Sequence, residues 1–228
     1  MDIKNNATKE KTKTYLNQIK TFLISNILWI ISFFFFLIFI FIARDVLNKE
    51  IFVFDDVIYN FIHLLESKIA TMFFHTITHL AGGYILVGIC IIVLLFNRNR
   101  IYFYIMSLNL VNTVVFNQIL KLIFARERPS GIAIIEEVGF SFPSGHSMAS
   151  MSFYGLLIYL IYHSNFSKKW KIILITSLSI LILLIGVSRI YLGVHYVSDV
   201  IAGFCLSVSY LIIFTRIIEK YIKKGVKK

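Results

Sequence analysis

The chain has 228 residues, of which 58% are hydrophobic and only 15% are charged, and its mean hydropathy is +0.80. A soluble domain is typically about 45–50% apolar and about 25% charged, so this composition excludes the soluble classes and indicates an integral membrane protein. The net charge of +11 does not indicate nucleic-acid binding, because the lysines lie next to the apolar segments and no soluble domain is predicted to present a basic face.

Six apolar segments are each predicted to cross the membrane as a helix, which needs about 20 apolar residues to cross about 30 Å of hydrocarbon. The predicted spans cover residues 21–43, 71–96, 101–124, 147–162, 172–187 and 196–214. Gly82-Gly83 interrupts the second span, and the fourth and fifth spans are short. We therefore predict an all-α polytopic membrane protein, divided into a basic segment 1–20, a six-span domain 21–216 and a basic tail 217–228.

The distribution of positive charge predicts the orientation of these spans. Six spans place both termini on one side, and sixteen of the 23 lysines and arginines fall on that side, with seven on the other. Cytoplasmic segments carry the excess of positive charge. The termini are therefore predicted to be cytoplasmic, and the loops 44–70, 125–146 and 188–195 are predicted to be extracytoplasmic.

The first outer loop contains IFVFDDVIYNFIHLLESK, in which apolar residues recur at helical spacing. This pattern favours an amphipathic helix lying along the membrane interface. Asp55 and Asp56 could bind a metal or gate a substrate, but a solvated acidic face is the more common explanation for such a pair. The next segment, HTITH, has two histidines four residues apart but lacks the glutamate of a zinc protease motif, so no metal site is predicted there.

Three cations are predicted to reach the outer rim from different helix ends: Lys121, Arg128 and Arg189. Lys121 and Arg128 are seven residues apart and share a helix face if the third helix continues to Pro129, which stops it. Lys121 or Arg126 alone, the latter with Glu127 beside it, is explained as an interfacial anchor. Together, however, like charges converge only around an anion, and phosphate oxygens match the planar guanidinium fork.

The segment Pro143-Ser144-Gly145-His146 precedes the fourth span. Ser144 is predicted to cap the helix, and Gly145 lets the backbone approach a ligand closely. A helix N-terminus favours an anion, and His146 lies in its first turn. These residues alone indicate a capped helix with an interfacial histidine, whereas beside the three cations they extend the predicted anion site.

His195 and Asp199 are four residues apart at the start of the sixth span, so they are predicted to share a helix face. A carboxylate that binds one imidazole nitrogen fixes the tautomer and raises the basicity of the ring, as in a Ser-His-Asp triad. The other nitrogen would then be a nucleophile or base facing the outer rim. An interfacial ion pair without chemistry is the alternative.

The pattern Lys121-x6-Arg128-Pro129, Pro143-Ser144-Gly145-His146 and Ser188-Arg189-x5-His195-x3-Asp199 resembles the three-part signature of the type 2 phosphatidic acid phosphatases, the PAP2 superfamily. The resemblance implies the helical core that this family shares with the vanadium haloperoxidases, which are soluble, unlike this chain. It also implies that phosphate is bound by Lys121, Arg128, Ser144, Gly145 and Arg189.

The same resemblance implies a metal-independent reaction without a cofactor. His195 would attack phosphorus and carry a phosphohistidine, Asp199 would orient it, and His146 would act as the general acid. Two histidines with opposite proton requirements predict a bell-shaped pH profile. The expected substrate is a lipid phosphate or diphosphate at the outer face of the bilayer: undecaprenyl diphosphate, phosphatidylglycerophosphate or phosphatidate.

A non-catalytic lipid-phosphate transporter or scaffold is the alternative function, since it needs the cations but not the His195–Asp199 pair beside a second histidine. Head-group selectivity is expected to reside in loops 44–70 and 125–142. Glu136 and Glu137 in the second of these could line the entrance, although a solvated loop is the more common explanation.

Overall fold

The computed structural model describes the backbone of residues 2–50 and 52–225 and the side chains of residues 25–50, 52–219 and 221. Within these ranges the chain forms helices and no strand, which confirms the predicted all-α class. In chain order the helices are α1 (Asp2–Leu47), α2 (Val53–His63), α3 (Lys68–His79), α4 (Gly83–Phe96), α5 (Ile101–Phe124), α6 (Gly145–Tyr162), α7 (Lys168–Tyr191) and α8 (Val197–Gly225). The side chains of segment 1–20 and of most of the tail lie outside the described residues.

Helix α6 lies at the centre of the bundle, packed against α5, α7 and α8. Ser147, Ser150 and Ser152 on this helix are fully buried, so protein surrounds the first half of α6. The outer helices instead expose large apolar side chains, including Phe33 on α1 and Leu122 on α5. Such side chains are compatible with lipid tails, which are as apolar as leucine, and the chain is accordingly a multi-pass membrane protein.

Four of the described helical segments are long and apolar enough to cross a membrane: Ser25–Leu47, Ile101–Phe124, Lys168–Tyr191 and Val197–Glu219. Helices α3 and α4 qualify as a fifth span when taken together, although they are bent by 50° at the break that contains Gly82. The Tyr154 hydroxyl of α6 donates a 2.6 Å hydrogen bond to the Leu80 carbonyl at this bend.

Helix α6, which is the predicted fourth span, has 18 residues. It is less apolar than the four segments that could cross a membrane, because its first half is rich in serine. A helix enclosed by protein can carry hydroxyls where neighbouring groups satisfy them, as the 2.8 Å bond from Thr113 to Ser152 does here. The count of six spans therefore stays a prediction.

Helix α5 ends at Phe124, where the third predicted span ends, so the condition under which Lys121 and Arg128 would share a helix face is not met. Ala125 adopts a left-handed conformation with φ of 42°, and its N–H donates to the Lys121 carbonyl at 3.0 Å. The chain then forms loop 125–144 across the end of the bundle. Arg128 consequently lies on this loop, and reaches the site without sharing a helix face with Lys121.

The turn between α7 and α8 joins loop 125–144. Gly193 has a left-handed φ of 69°, and the Ile132 backbone lies so close to it that a Cβ would collide. The Ile134 N–H donates a 3.0 Å hydrogen bond to the Leu192 carbonyl. Only glycine therefore fits this turn, which places Arg189 and His195 on its two sides.

Candidate active site

The predicted site residues lie at one end of the bundle, but they come from different elements. Lys121 lies in the last turn of α5 and Arg189 in the last turn of α7. Ser144 and His146 lie at the start of α6, and Asp199 lies in the first turn of α8. Loop 125–144 supplies Arg128, and the turn before α8 supplies His195.

His195 and Asp199 form the predicted pair, with 3.2 Å between Nδ1 and Oδ2. His195 lies just before the helix rather than on its face, and the Tyr196 N–H donates to the same carboxylate oxygen at 3.0 Å. His195 is 2% exposed and Asp199 is fully buried. An ionised carboxylate only accepts hydrogen bonds, so the proton of the neutral ring lies on Nδ1 and the lone pair lies on Nε2.

The Nε2 atom of His195 faces Arg128, whose Nη1 lies 3.2 Å away. Arg128 is fixed by two carbonyl groups, since Nη1 donates to Val194 at 2.8 Å and Nε donates to Gly139 at 2.9 Å. The imidazole lone pair is therefore directed into the group of cations.

Glu137 lies between the two arginines of the site, and its predicted place in a solvated loop is wrong. One oxygen lies 3.5 Å from Arg128 Nη2, and the other accepts a hydrogen bond from Arg189 Nη2. Burial raises the pKa of Glu137, but the charges of Arg189, His146 and Arg128 and the hydrogen bond from Arg189 together lower it below its ordinary value of 4.5. The carboxylate is therefore ionised at neutral pH, whereas Glu136 beside it is exposed.

Several donors of the site have no acceptor among the described residues. Lys121 and His146 make no hydrogen bond there, and the buried Nε of Arg189 has no partner. The three cations face two carboxylates, Glu137 and Asp199, so one positive charge remains to attract an anion.

Ser144 is the N-cap of α6, as predicted, and its Oγ accepts hydrogen bonds from the Ser147 N–H and hydroxyl at 3.4 and 2.9 Å. Gly145 allows the close approach of α5, because a Cβ there would lie 2.9 Å from the Asn117 side-chain oxygen and displace it. Asn117 in turn donates to the Pro143 carbonyl at 3.0 Å. The start of α6 is thus held against α5, with its first N–H groups directed to the end of the bundle where the cations lie.

The segment HTITH contributes Thr78 rather than its histidines. Thr78 Oγ1 accepts a 2.7 Å hydrogen bond from Arg189 Nη1. His79 pairs with the Tyr84 hydroxyl at 2.9 Å, and the described residues contain no group of three or more histidines, cysteines and carboxylates that could hold a metal. The spacing of the two histidines therefore reflects only that they lie on helix α3, and the role of this helix at the site is to hold Arg189 through Thr78.

Arg126 and Asp55 also differ from their predicted roles as an interfacial anchor and a solvated acid. Asp55 is 5% exposed, and both residues bind the first turn of α8. Asp56, the neighbour of Asp55, is exposed. Which member of such a pair faces inward depends on where α2 packs, and no local pattern carries that information.

The protonation of His195 follows from its surroundings. Burial, and then the charges of Arg189, Arg128 and Lys121, lower its pKa well below the ordinary value of 6.5. A lowered pKa keeps the ring neutral as the pH falls through 6.5, so Nε2 stays available at neutral pH without a separate base.

We expect His195 to remain neutral, with its proton on Nδ1, in the phosphate-free protein at pH 6.5, where an ordinary histidine is half protonated. The measurement is an imidazole ¹⁵N NMR titration of the chain in detergent micelles between about pH 8 and about pH 5. His195→Gln identifies the signals of this ring. A midpoint near 6.5 for that ring would contradict the electrostatic account.

Comparisons with known proteins agree on one family. A family model described as the PAP2 superfamily matches residues 101–223. The chain is 36% identical over 134 residues to phosphatidylglycerophosphatase B of Bacillus subtilis (strain 168), and the aligned region covers 57% of this chain and 66% of that protein. It is 29% identical over 129 residues to undecaprenyl-diphosphatase of Sulfolobus acidocaldarius, and this aligned region covers 54% of this chain and 58% of that protein. The matches thus span less than two thirds of the length of each of these relatives.

Two crystal structures share the fold. The transmembrane PAP2 type phosphatidylglycerolphosphate phosphatase from Bacillus subtilis matches with a TM-score of 0.74 and 29% identity, over 83% of this chain and 96% of the other. Aquifex aeolicus LpxE matches with a TM-score of 0.60 and 22% identity, over 72% and 96%. The second likeness concerns the fold alone.

Proposed function

The chain belongs to the PAP2 superfamily, and from this we propose that it is an integral membrane phosphatase that hydrolyses the terminal phosphate of a lipid phosphate or diphosphate. One observation carries the proposal. An imidazole held by Asp199 directs its unprotonated Nε2 toward Arg128 at 3.2 Å, at the edge of a site whose three cations outnumber its two carboxylates.

Phosphate binding would use Lys121 and the Arg189 Nε–H, which have no acceptor among the described residues, together with the other donors of the site. Lys121 and the forks of Arg128 and Arg189 would hold the oxygens, with Ser144 and the Gly145 N–H at the helix N-terminus. Glu137 occupies part of both forks, so the phosphate would share or displace these contacts. Phosphoryl transfer depends mostly on positioning and charge stabilisation, which fixed cations supply.

In the chemical step, His195 Nε2 attacks phosphorus while the bond to the lipid oxygen breaks. Burial and the Arg189 charge lower the pKa of His146 to about 3 in the phosphate-free site. The charge of the bound phosphate raises it, so that protonated His146 gives its proton to that leaving oxygen. Neutral His146 then takes a proton from water, which attacks the phosphohistidine and releases inorganic phosphate together with the free imidazole. Asp199 stabilises the positive charge of the ring between the two steps, and the covalent intermediate divides one difficult reaction into two easier ones.

A lipid-phosphate transporter or scaffold is disfavoured by this geometry. Binding alone needs Lys121 and the arginines, but it gives no reason to bury a carboxylate behind an imidazole and direct the free nitrogen at the anion site. The proposed steps use only side chains of the described residues and no metal.

The test of the function is phosphate release by the purified chain in detergent with EDTA, using undecaprenyl diphosphate, phosphatidylglycerophosphate and phosphatidate. We expect release from at least one of them, unchanged by EDTA, and the fastest reaction identifies the preferred head group. Lipid binding without release would eliminate the enzyme, and activity lost with EDTA would contradict the metal-free reaction.

The proposed orientation, with the site extracytoplasmic, makes a separate prediction. Ala133 is exposed in loop 125–144, and Asn165 is exposed at the opposite end of α6. Ala133→Cys is expected to react with an impermeant thiol reagent on intact cells, whereas Asn165→Cys reacts only after lysis. Cys90 and Cys205 are buried and give little background. The reverse labelling pattern would show that the orientation is wrong.

A further inference from the structure

Arg126 lies two residues before Arg128 but faces the opposite side of the nucleophile. Its Nη1 donates hydrogen bonds to Asp199 Oδ1 at 2.6 Å and to Ser198 Oγ at 2.8 Å. Its Nη2 lies 3.3 Å from Asp55 Oδ2. None of its described contacts is to a residue proposed to bind phosphate, so its role differs from that of the site cations.

Asp55 binds the same turn of α8 from a different helix. Its Oδ1 accepts a hydrogen bond from the Ser198 N–H, and its Oδ2 accepts one from the Ser198 hydroxyl, both at 2.7 Å. The first N–H groups of a helix have no partner within the helix, so Asp55 caps α8 from α2. The arginine and both carboxylates thus form one network around Ser198.

Aromatic rings fix the guanidinium in this position. Its central carbon lies 4.0 Å from the centroid of the Tyr196 ring and 5.9 Å from that of Phe52. The Ser141 N–H donates to the Arg126 carbonyl at 2.8 Å, which also holds the backbone. The side chain is 15% exposed and is therefore held on nearly every side.

The two oxygens of the Asp199 carboxylate accept hydrogen bonds from different groups. Oδ2 accepts from His195 and from the Tyr196 N–H, and Oδ1 accepts from Arg126. A buried carboxylate without a countercharge is strongly disfavoured. Without Arg126, Asp199 would lose both its countercharge and the contact that fixes the rotation of the carboxylate, and the imidazole would lose its orientation with it.

We propose that Arg126 and Asp55 are positioning residues that hold Asp199, and through it His195, in line with the bound phosphate. The inference rests on the proposed function, because it assigns the nucleophile to His195. It makes α2 part of the catalytic arrangement, since Asp55 connects that helix to the turn that carries the nucleophile. A purely structural network is the competing explanation, and it predicts lost stability with no selective loss of turnover.

The test compares Arg126→Met, Arg126→Lys, Asp55→Asn and the control Asp56→Asn, each as the full chain in detergent micelles. Phosphate release from the three lipids named above gives kcat and KM. Inhibition by orthovanadate reports the anion site, and thermal unfolding reports stability. Asp56 is the matched control because it is the exposed neighbour of Asp55.

We expect Arg126→Met to lower kcat about 100-fold, the loss that a misplacement of about 1 Å can cause, with KM and vanadate inhibition close to wild type. Arg126→Lys restores part of kcat, Asp55→Asn lowers it less than Arg126→Met does, and Asp56→Asn leaves it unchanged. If Arg126→Met does not fold, the same criteria applied to Asp55→Asn decide the question.

Unchanged kcat in a folded Arg126→Met or Asp55→Asn variant would overturn the inference. A parallel loss of vanadate inhibition would also overturn it, because Arg126 would then support the anion site itself. A failure of the proposed function is distinguishable, since it leaves the wild type without phosphate release or His195→Gln with undiminished release.

Discussion

Replacing His195 with glutamine is expected to lower phosphate release by about 10⁴-fold or more, the range found when the nucleophile of a catalytic unit is removed. Glutamine fills most of the space of the ring and can still donate a hydrogen bond to Asp199, so the buried carboxylate keeps a partner. The cations that face the ring are untouched. We therefore expect vanadate to bind the variant with near wild-type affinity, measured by its protection against thermal unfolding.

The matched control is His163→Gln, because His163 is exposed at the opposite end of α6 and is expected to tolerate the same change. Retained turnover in His195→Gln would assign the nucleophile to another group. Loss of vanadate binding together with turnover would mean that the ring holds the anion site together rather than attacking phosphorus.

Replacing Arg189 with methionine is expected to lower kcat/KM by about 10²- to 10³-fold. Arg189 is 1% exposed and binds both Thr78 and Glu137, so its removal leaves a half-buried carboxylate without its main partner. Removal of one partner from a buried pair is destabilising by about 3–5 kcal/mol, part of which is expected as a lower unfolding temperature. Arg189→Lys keeps the charge but loses the planar fork, so it restores only part of kcat/KM.

Lys68→Met is the control for a lost positive charge, because Lys68 is exposed at the start of α3. Its kcat/KM is expected to match the wild type. A folded Arg189→Met variant with unchanged kcat/KM and unchanged vanadate affinity would remove Arg189 from the anion site.

The parts of the site that sequence could predict are those defined by local spacing. Ser144 caps the helix that begins one residue later, and the pair of His195 and Asp199 requires only one turn of chain. Both sets of contacts are present in the structure. The signature residues were also predicted to lie together, because each falls at the end of a predicted helix on one side of the membrane.

The supporting residues could not be predicted, because their partners are distant in the chain. Asp55 binds a backbone group 143 residues away, and Thr78 binds an arginine 111 residues away. Each has a residue of the same type nearby that is exposed, Asp56 for Asp55 and Thr76 for Thr78. Which of the two reaches the site therefore depends on how the helices pack. Apolarity alone does not determine the number of spans for a related reason, since a helix such as α6 that is packed among other helices need not be apolar.

The most direct measurement of the central claim looks for the covalent intermediate. The wild-type chain is mixed with a lipid phosphate labelled in its terminal phosphate, the reaction is quenched rapidly without acid, and the protein is analysed by mass spectrometry. The account predicts a phosphoryl group on His195 that is stable to alkali and labile to acid, that forms before inorganic phosphate is released, and that persists longer in His146→Gln. Phosphate release with no phosphorylated intermediate, or with the label on a residue other than His195, would contradict it.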